Sequence, residues 1–195
     1  MLTLALVLAL QACPQRIQVI APAMSSTSGQ VTLTECGRRA LGPWRAWVGY
    51  GGLSTHHREG DGTTPIGTFA LGPVVYGLDP DPGLRLRYHR LRCGDWWDED
   101  SSSPAYNTFQ HIACGAVPPF HGSSEALWRS TVAYREFALI DYNTHPAVPG
   151  RGSAIFLHDD RGHPTNGCVS LPRTELVQLL RRLRPGATIS ISVGA

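Results

Sequence analysis

The 195-residue sequence contains no lysine; all 17 of its basic residues are arginine. Asp and Glu together number 15, which leaves a formal net charge of +2. Charged residues make up 16% of the chain, against the usual quarter. A charge so thin and balanced gives no field of the kind that draws nucleic acid, and no nucleic-acid partner is expected. The arginines are scattered apart from Arg181, Arg182 and Arg184, which fit the solvated face of a helix. No stretch approaches the roughly 20 apolar residues that a membrane-spanning helix needs. HExxH and CxxC spacings are missing, and so are internal repeats and heptads. Those absences weigh against a zinc protease, a zinc ribbon and a coiled coil.

What is there is 42% hydrophobic, with 21 Gly and 15 Pro. That composition fills one core and favours many turns and short strands over long helices. Residues 1–10 are almost wholly apolar. They match the apolar core of a secretory signal in length but lack its positive start. Leu10-Gln11-Ala12-Cys13 loosely resembles a lipoprotein cleavage box, with Cys13 as the lipid site; a buried first strand is the alternative. The expected division is a signal-like or lipoprotein-type segment (1–13), a linker or first strand (14–30), and the main domain (31–195). Export outside the cytoplasm would permit disulfides. Among the five cysteines, Cys93 and Cys114 flank one loop-like segment and are the expected pair. Cys36 stays unassigned, and Cys168 stands as a free thiol.

Period-2 alternation predicts strands over residues 18–20, 31–34, 44–49, 69–71, 84–91, 136–142, 153–158 and 187–193. Residues 49–67 and 95–106 read as loops, the latter acidic and aromatic. A short helix is expected over 124–129, capped by Ser123 or Ser124. Leu176, Val177, Leu179, Leu180 and Leu183 recur at helical spacing between Pro172 and Pro185-Gly186, which predicts the one clear helix.

Chemistry concentrates in residues 154–173, AIFLHDDRGHPTNGCVSLPR. A buried-type strand ends at His158, turn formers fill 159–167, and a helix is expected directly after Cys168. Gly167 removes a side chain beside the sulfur and lets a carbonyl approach the backbone. The expected helix start would offer free N–H groups and a positive dipole end to a thiolate or an oxyanion. A histidine at a strand end can fold back onto the thiol, and a Cys–His pair is how such a nucleophile is activated. Cys168 and His158 are therefore the candidate catalytic residues. A zinc site built from His158, Asp159, Asp160, His163 and Cys168, with His56-His57 nearby, is a rival reading.

These residues resemble the active-site motif of the YkuD-type L,D-transpeptidases. That motif runs His-Gly, a spacer, Ser/Thr-His-Gly-Cys, a hydrophobic residue and often Arg or Asn. His158 matches the motif histidine, and Thr165-Asn166-Gly167-Cys168-Val169 matches the nucleophile end. Upstream, GDGTTPIGTF (residues 60–69) is similar to the family's Thr-Pro-x-Gly-x-Phe signature. The resemblance runs over residues 31–193. Asp159 departs from the usual Gly or Ser, Asn166 from the second His, Ser170 from the Arg or Asn, and the spacer is short.

The resemblance implies a mainly β fold, an L,D-transpeptidase-like β-sandwich with a few short helices, and a lid formed by residues 79–119. It implies acyl transfer through a Cys168 thioester on peptidoglycan stem peptides, without metal or organic cofactor. The expected setting is the cell wall or a periplasm-like space, as a monomer, attached to the membrane if Cys13 is lipidated. Gly167, Asp159 and Asn166 are the expected oxyanion and orienting residues, Asp159 through its backbone carbonyl. Thr165, Ser170, Arg161 and Arg173 are the expected substrate contacts, with either arginine standing in for the missing cation. Gly62, Thr64, Pro65 and Gly67 either shape a loop facing the site or form an ordinary turn. Trp96, Trp97 and Tyr106 either line the lid or cluster beneath it. A carboxypeptidase or other cysteine hydrolase uses the same residues, and a wall-binding module without catalysis is the alternative from another class.

Overall fold

The computed structural model describes residues 13–122 and 124–194. The apolar segment 1–10 and the proposed helix cap Ser123 lie outside the described residues. Strand outweighs helix, 40% to 7%, so the fold is mainly β as expected.

The strands are β1 (Gln15–Ala21), β2 (Ser28–Glu35), β3 (Arg38–Trp47), β4 (Leu53–Ser54), β5 (Thr64–Pro65), β6 (Gly67–Gly77) and β7 (Arg87–Arg90). There follow β8 (Asp95–Asp98), β9 (Thr108–His111), β10 (Glu125–Ala126), β11 (Phe137–Ile140), β12 (Phe156–Asp159), β13 (Val169–Leu171) and β14 (Thr188–Val193). The helix α1 (Arg173–Arg182) lies between β13 and β14. Nine strands form one mixed sheet in the order β11-β12-β13-β3-β2-β1-β14-β6-β7. The long strand β6 also pairs with β11, so the sheet closes on itself. β1 is built into its middle, between β2 and β14.

Alternation along the strands explains which residues enter the core. In β1 the side chains of Ile17, Val19 and Ala21 are buried while Arg16 and Ile20 face outward. They join Leu157, Val169, Leu171 and the α1 leucines Leu176, Leu179 and Leu180 in the main core. Each fully buried leucine contributes roughly 1.5–3 kcal/mol. A second cluster lies on the other face of β11 and β12: Phe137, Phe156, Trp97, Leu127 and Tyr134, with Cys168 packed against it. It is covered by a three-stranded sheet, β10-β8-β9. Residues 79–119, expected as a lid, supply two strands of that cover, β8 and β9, and also β7 of the main sheet, and the Cys93–Cys114 disulfide ties the β8–β9 hairpin.

Five local points of the sequence reading need correction or completion. Residues 124–129 form β10 and a 3-10 turn (Leu127–Arg129), because pairing of Glu125 and Ala126 with Trp97 and Trp96 of β8 overrides local helix preference. The supposed loop 95–106 begins with β8 for the same reason. Only Arg87–Arg90 of the segment 84–91 is paired. Cys168 is followed by β13, not by a helix; Pro172 disfavours helical backbone at Leu171 and holds the helix back to Arg173. Finally, Cys36, left unassigned, is bonded to Cys13. That bond occupies the sulfur a lipid would need.

Candidate active site

Register places the reactive side chains. β12 and β13 run parallel, with His158 opposite Ser170 and Leu157 opposite Val169. Leu157, Val169 and Leu171 point into the main core. The period of two therefore sends Phe156, His158 and Ser170 to the opposite face, and Cys168 joins them two residues before Ser170. His158, Ser170 and Cys168 line one cavity of about 180 Å³ together with Arg161, Thr165 and Asn166.

His158 is 7% exposed, and its Nδ1 lies 2.7 Å from the carbonyl oxygen of Asp159. A carbonyl only accepts, so Nδ1 carries the proton and Nε2 keeps a free lone pair. Burial pushes the imidazole down to about 4, which keeps it neutral at ordinary pH. Tyr134 packs edge-on against the ring at 6.0 Å. The Asp159 side chain points elsewhere: its carboxylate accepts the Glu136 N–H at 3.0 Å, and burial raises it to about 7.

Cys168 is the free thiol among the described cysteines. Its sulfur accepts the Phe156 N–H at 3.3 Å and donates to the Ala154 carbonyl at 3.2 Å. Ala154 sits at φ 52°, a strained value for a side chain with Cβ, and its N–H is held by Asn107 Oδ1 at 3.0 Å. Burial pushes the thiol well above its usual range, and Glu125 and Glu99 add to the shift. The group is thus a neutral thiol at rest, and any attack requires its proton to be taken as the bond forms.

The backbone at Cys168 is held by two threonines. Thr165 Oγ1 donates to the Cys168 carbonyl at 2.6 Å, and Thr64 Oγ1 reaches it at 3.4 Å while accepting the Gly49 N–H at 2.7 Å. Thr64 and Pro65 form β5 beside β4, so the upstream motif is a buried brace under Cys168 rather than an isolated turn. Gly167 has φ 137°, and a Cβ there would lie 2.9 Å from the Thr63 carbonyl oxygen. Its glycine identity follows from that crowding. Its N–H is already donated to Thr165 Oγ1 at 3.1 Å, so it is not a free oxyanion donor.

Of the expected substrate contacts, Thr165, Ser170 and Arg161 line the cavity with Cys168. Arg173 does not. It opens α1 on a different groove and binds buried Glu136 at 2.9 Å and Asp79 at 2.7 Å, so its charge serves the fold. The expected dipole stabilisation of Cys168 also falls away, since β13 and Pro172 separate it from α1. Trp97 packs edge-on against Phe156, Trp96 against Phe120 and Trp128, and the Tyr106 hydroxyl binds Glu59. Of the three, Trp97 joins the aromatic cluster beneath the cover, while Trp96 packs with Phe120 and Trp128 outside it.

Sequence reasoning missed Ala154, Asn107, Glu59, Glu99 and Glu125, and named His57 only for a zinc site. The three glutamates and His57 line a second cavity of about 230 Å³ that also reaches Cys168 and Asn166. Only the acidic run at 95–100 hinted at them. His57 Nδ1 is bound to Thr63 Oγ1 at 3.0 Å and Asp61 at 2.9 Å, and burial lowers its proton affinity. Among the described residues no group of three His, Cys, Asp or Glu converges as a metal site.

The family model for the L,D-transpeptidase catalytic domain, YkuD, matches residues 25–191. No curated protein matches the chain, and no solved structure does.

Proposed function

Because the chain belongs to the YkuD family of L,D-transpeptidase catalytic domains, we propose that it transfers the acyl group of one peptidoglycan stem peptide to an amine of another through a Cys168 thioester. The observation that carries this reading is the pairing, in one cavity, of a free thiol with a neutral imidazole whose Nε2 is left bare by the Nδ1–Asp159 bond.

In the first half the sulfur attacks the carbonyl of the third residue of a tetrapeptide stem. The S–C bond forms, the C–N bond to the terminal D-Ala breaks, and the thiol proton travels through His158 Nε2 to the departing nitrogen. The thiol first gives up its bond to Ala154. In the second half an amine attacks the thioester, its proton passes through His158 to the leaving sulfur, and two third residues become linked. Water in place of the amine would make the reaction a carboxypeptidase trimming. With Gly167 N–H engaged, we assign the oxyanion to the Cys168 N–H and to Asn166, which lines both cavities beside the sulfur. Ser170 Oγ, 1% exposed and without a partner, opens beside Arg161 on the cavity where the D-Ala carboxylate would lie. Two disulfides suit action outside the cytoplasm.

Incubating the protein with a defined tetrapeptide and weighing the products tests the reading. A thioester adduct on Cys168 with loss of D-Ala is expected, and Cys168→Ala should show none. Full acylation of that variant would remove Cys168 from the mechanism.

A further inference from the structure

Asn107 stands in the cover hairpin directly before β9, 2% exposed and at φ 59°. Its side chain is fully engaged. Oδ1 accepts the Trp97 indole N–H at 2.9 Å and the Ala154 N–H at 3.0 Å. Nδ2 donates to the carbonyls of Tyr142 at 3.1 Å and Asn143 at 2.8 Å. Two of these partners only donate and two only accept, so a carboxamide matches all four where a carboxylate would match two. The backbone N–H of Asn107 is bound as well, to the Asp98 carbonyl at 2.7 Å. One side chain thereby ties the cover to the segment after β11 and to the entry of β12.

The bond to Ala154 reaches the sulfur. Ala154 has φ 52°, a strained backbone for a residue with Cβ, and such a backbone persists only where its surroundings hold it. Its N–H is held by Asn107. Turned this way, the Ala154 carbonyl accepts the Cys168 thiol at 3.2 Å, while the N–H of Phe156 donates to the same sulfur at 3.3 Å. Phe156 is fixed separately, by pairing with Leu139 of β11. Were Ala154 to relax to an ordinary negative φ, its carbonyl would swing off the sulfur and leave the Phe156 bond alone.

We propose that Asn107 is a positioning residue for the nucleophile: by holding Ala154 in its left-handed conformation, it keeps the Ala154 carbonyl on Cys168 and aims the sulfur into the His158 cavity. The proposal deepens the acyl-transfer reading and rests on it for its kinetic arm. It gives the cover hairpin, far from Cys168 in sequence, a direct route to the sulfur through one amide and one peptide unit.

The test uses the full chain with Asn107→Ala, with Ala154→Gly, and with the two together. Adduct formation with a defined tetrapeptide gives kcat and KM for acylation. Iodoacetamide gives the pH profile of Cys168 alkylation without any peptide. Asn107→Ala should lower kcat by about tenfold or more with KM within about threefold, as when a nucleophile is misplaced and binding is kept. Its alkylation midpoint should move to lower pH, because the neutral thiol loses its acceptor while the anion keeps the Phe156 N–H. Glycine takes a positive φ without strain. Adding Ala154→Gly should therefore raise kcat at least about fivefold more in the Asn107→Ala background than in the parent, and move the alkylation midpoint back up. A side chain that only stabilised the cover would show no such coupling. Additive effects of the two substitutions, or an unmoved alkylation profile in Asn107→Ala, would overturn the proposal. If Asn107→Ala shows no cooperative unfolding transition, Ala154→Val carries the test with Asn107 intact. Its β-branched side chain resists a positive φ, so acylation should slow and the alkylation profile should shift; no change in either would overturn the proposal. If the parent itself forms no peptide adduct, the acyl-transfer reading falls, and the alkylation profiles alone decide the role of Asn107.

Discussion

His158 gives its Nδ1 proton to the carbonyl oxygen of the next residue, Asp159, at 2.7 Å. The acceptor that orients the imidazole is therefore backbone, and the Asp159 side chain is bound elsewhere, to the Glu136 N–H. Removing the base and changing its neighbour should have different consequences. His158→Ala should slow acylation of Cys168 by about a hundredfold or more. Asp159→Asn keeps the carbonyl and should stay within about tenfold of the parent rate. Time courses of adduct formation by mass spectrometry check both; a larger loss in Asp159→Asn than in His158→Ala would show that the carboxylate, not the carbonyl, matters.

The pH dependence follows from the imidazole. Burial holds His158 at about 4 in the fold, against 6.5 for an ordinary histidine. The neutral base is then available down to about pH 4, and the acid limb of kcat/KM for acylation should fall there. An acid limb near 6.5 would contradict it. The same depression affects stability. Between about pH 4 and 6.5 the unfolded chain holds a proton on His158 that the folded chain lacks, so this contribution is present above 6.5 and declines as pH falls toward 4. The full effect is about 3 kcal/mol. Asp159, raised to about 7, acts with opposite sign over an overlapping range. The difference between the protein and His158→Gln in denaturant titrations at pH 4 and pH 7 isolates the histidine.

Gly167 offers a steric prediction. At φ 137° its backbone is one that side chains rarely adopt, and a Cβ would press on the Thr63 carbonyl at 2.9 Å. Gly167→Ala should cost about 1–3 kcal/mol in stability. It should also slow acylation, because Cys168 is the next residue. A variant with unchanged denaturation midpoint and unchanged adduct rate would show that this turn relaxes freely.

The legible parts of the chain were those in which a local signal agreed with the tertiary structure. The α1 leucines recur at helical spacing and are buried as that spacing demands. β1, β2 and β14 alternate, and so do their burial patterns. The pairing of Cys168 with His158 was readable because motif, strand end and glycine fall within one short segment. What stayed hidden depends on contacts distant in sequence. β10 looked helical until it paired with β8. β13 is three residues long, too short for periodicity to declare it. The second cavity gathers Glu59 and Glu99 from two loops and Glu125 from β10, and no window of sequence contains them together. Arg173 looked available because nothing local shows that Glu136 is buried opposite it.

The two disulfides should separate fold from function. Cys13–Cys36 spans 23 positions and Cys93–Cys114 spans 21, so loop-closure entropy assigns each about 3 kcal/mol. Their surroundings differ. Cys13–Cys36 ties the start of β1 to the end of β2, beside the Glu35–Arg38 turn, at the opposite end of β3 from Trp47, which pairs with Ser170 of β13. Cys93–Cys114 closes the β8–β9 hairpin, whose Trp97 packs on Phe156 and whose next turn carries Glu99 into the second cavity. Replacing either pair with serine should lower the denaturation midpoint by a similar amount. Only loss of the 93–114 bond should also slow acylation of Cys168, because only that hairpin covers the sulfur. Equal loss of rate in both double variants would mean that the cover depends on overall stability rather than on its own tie.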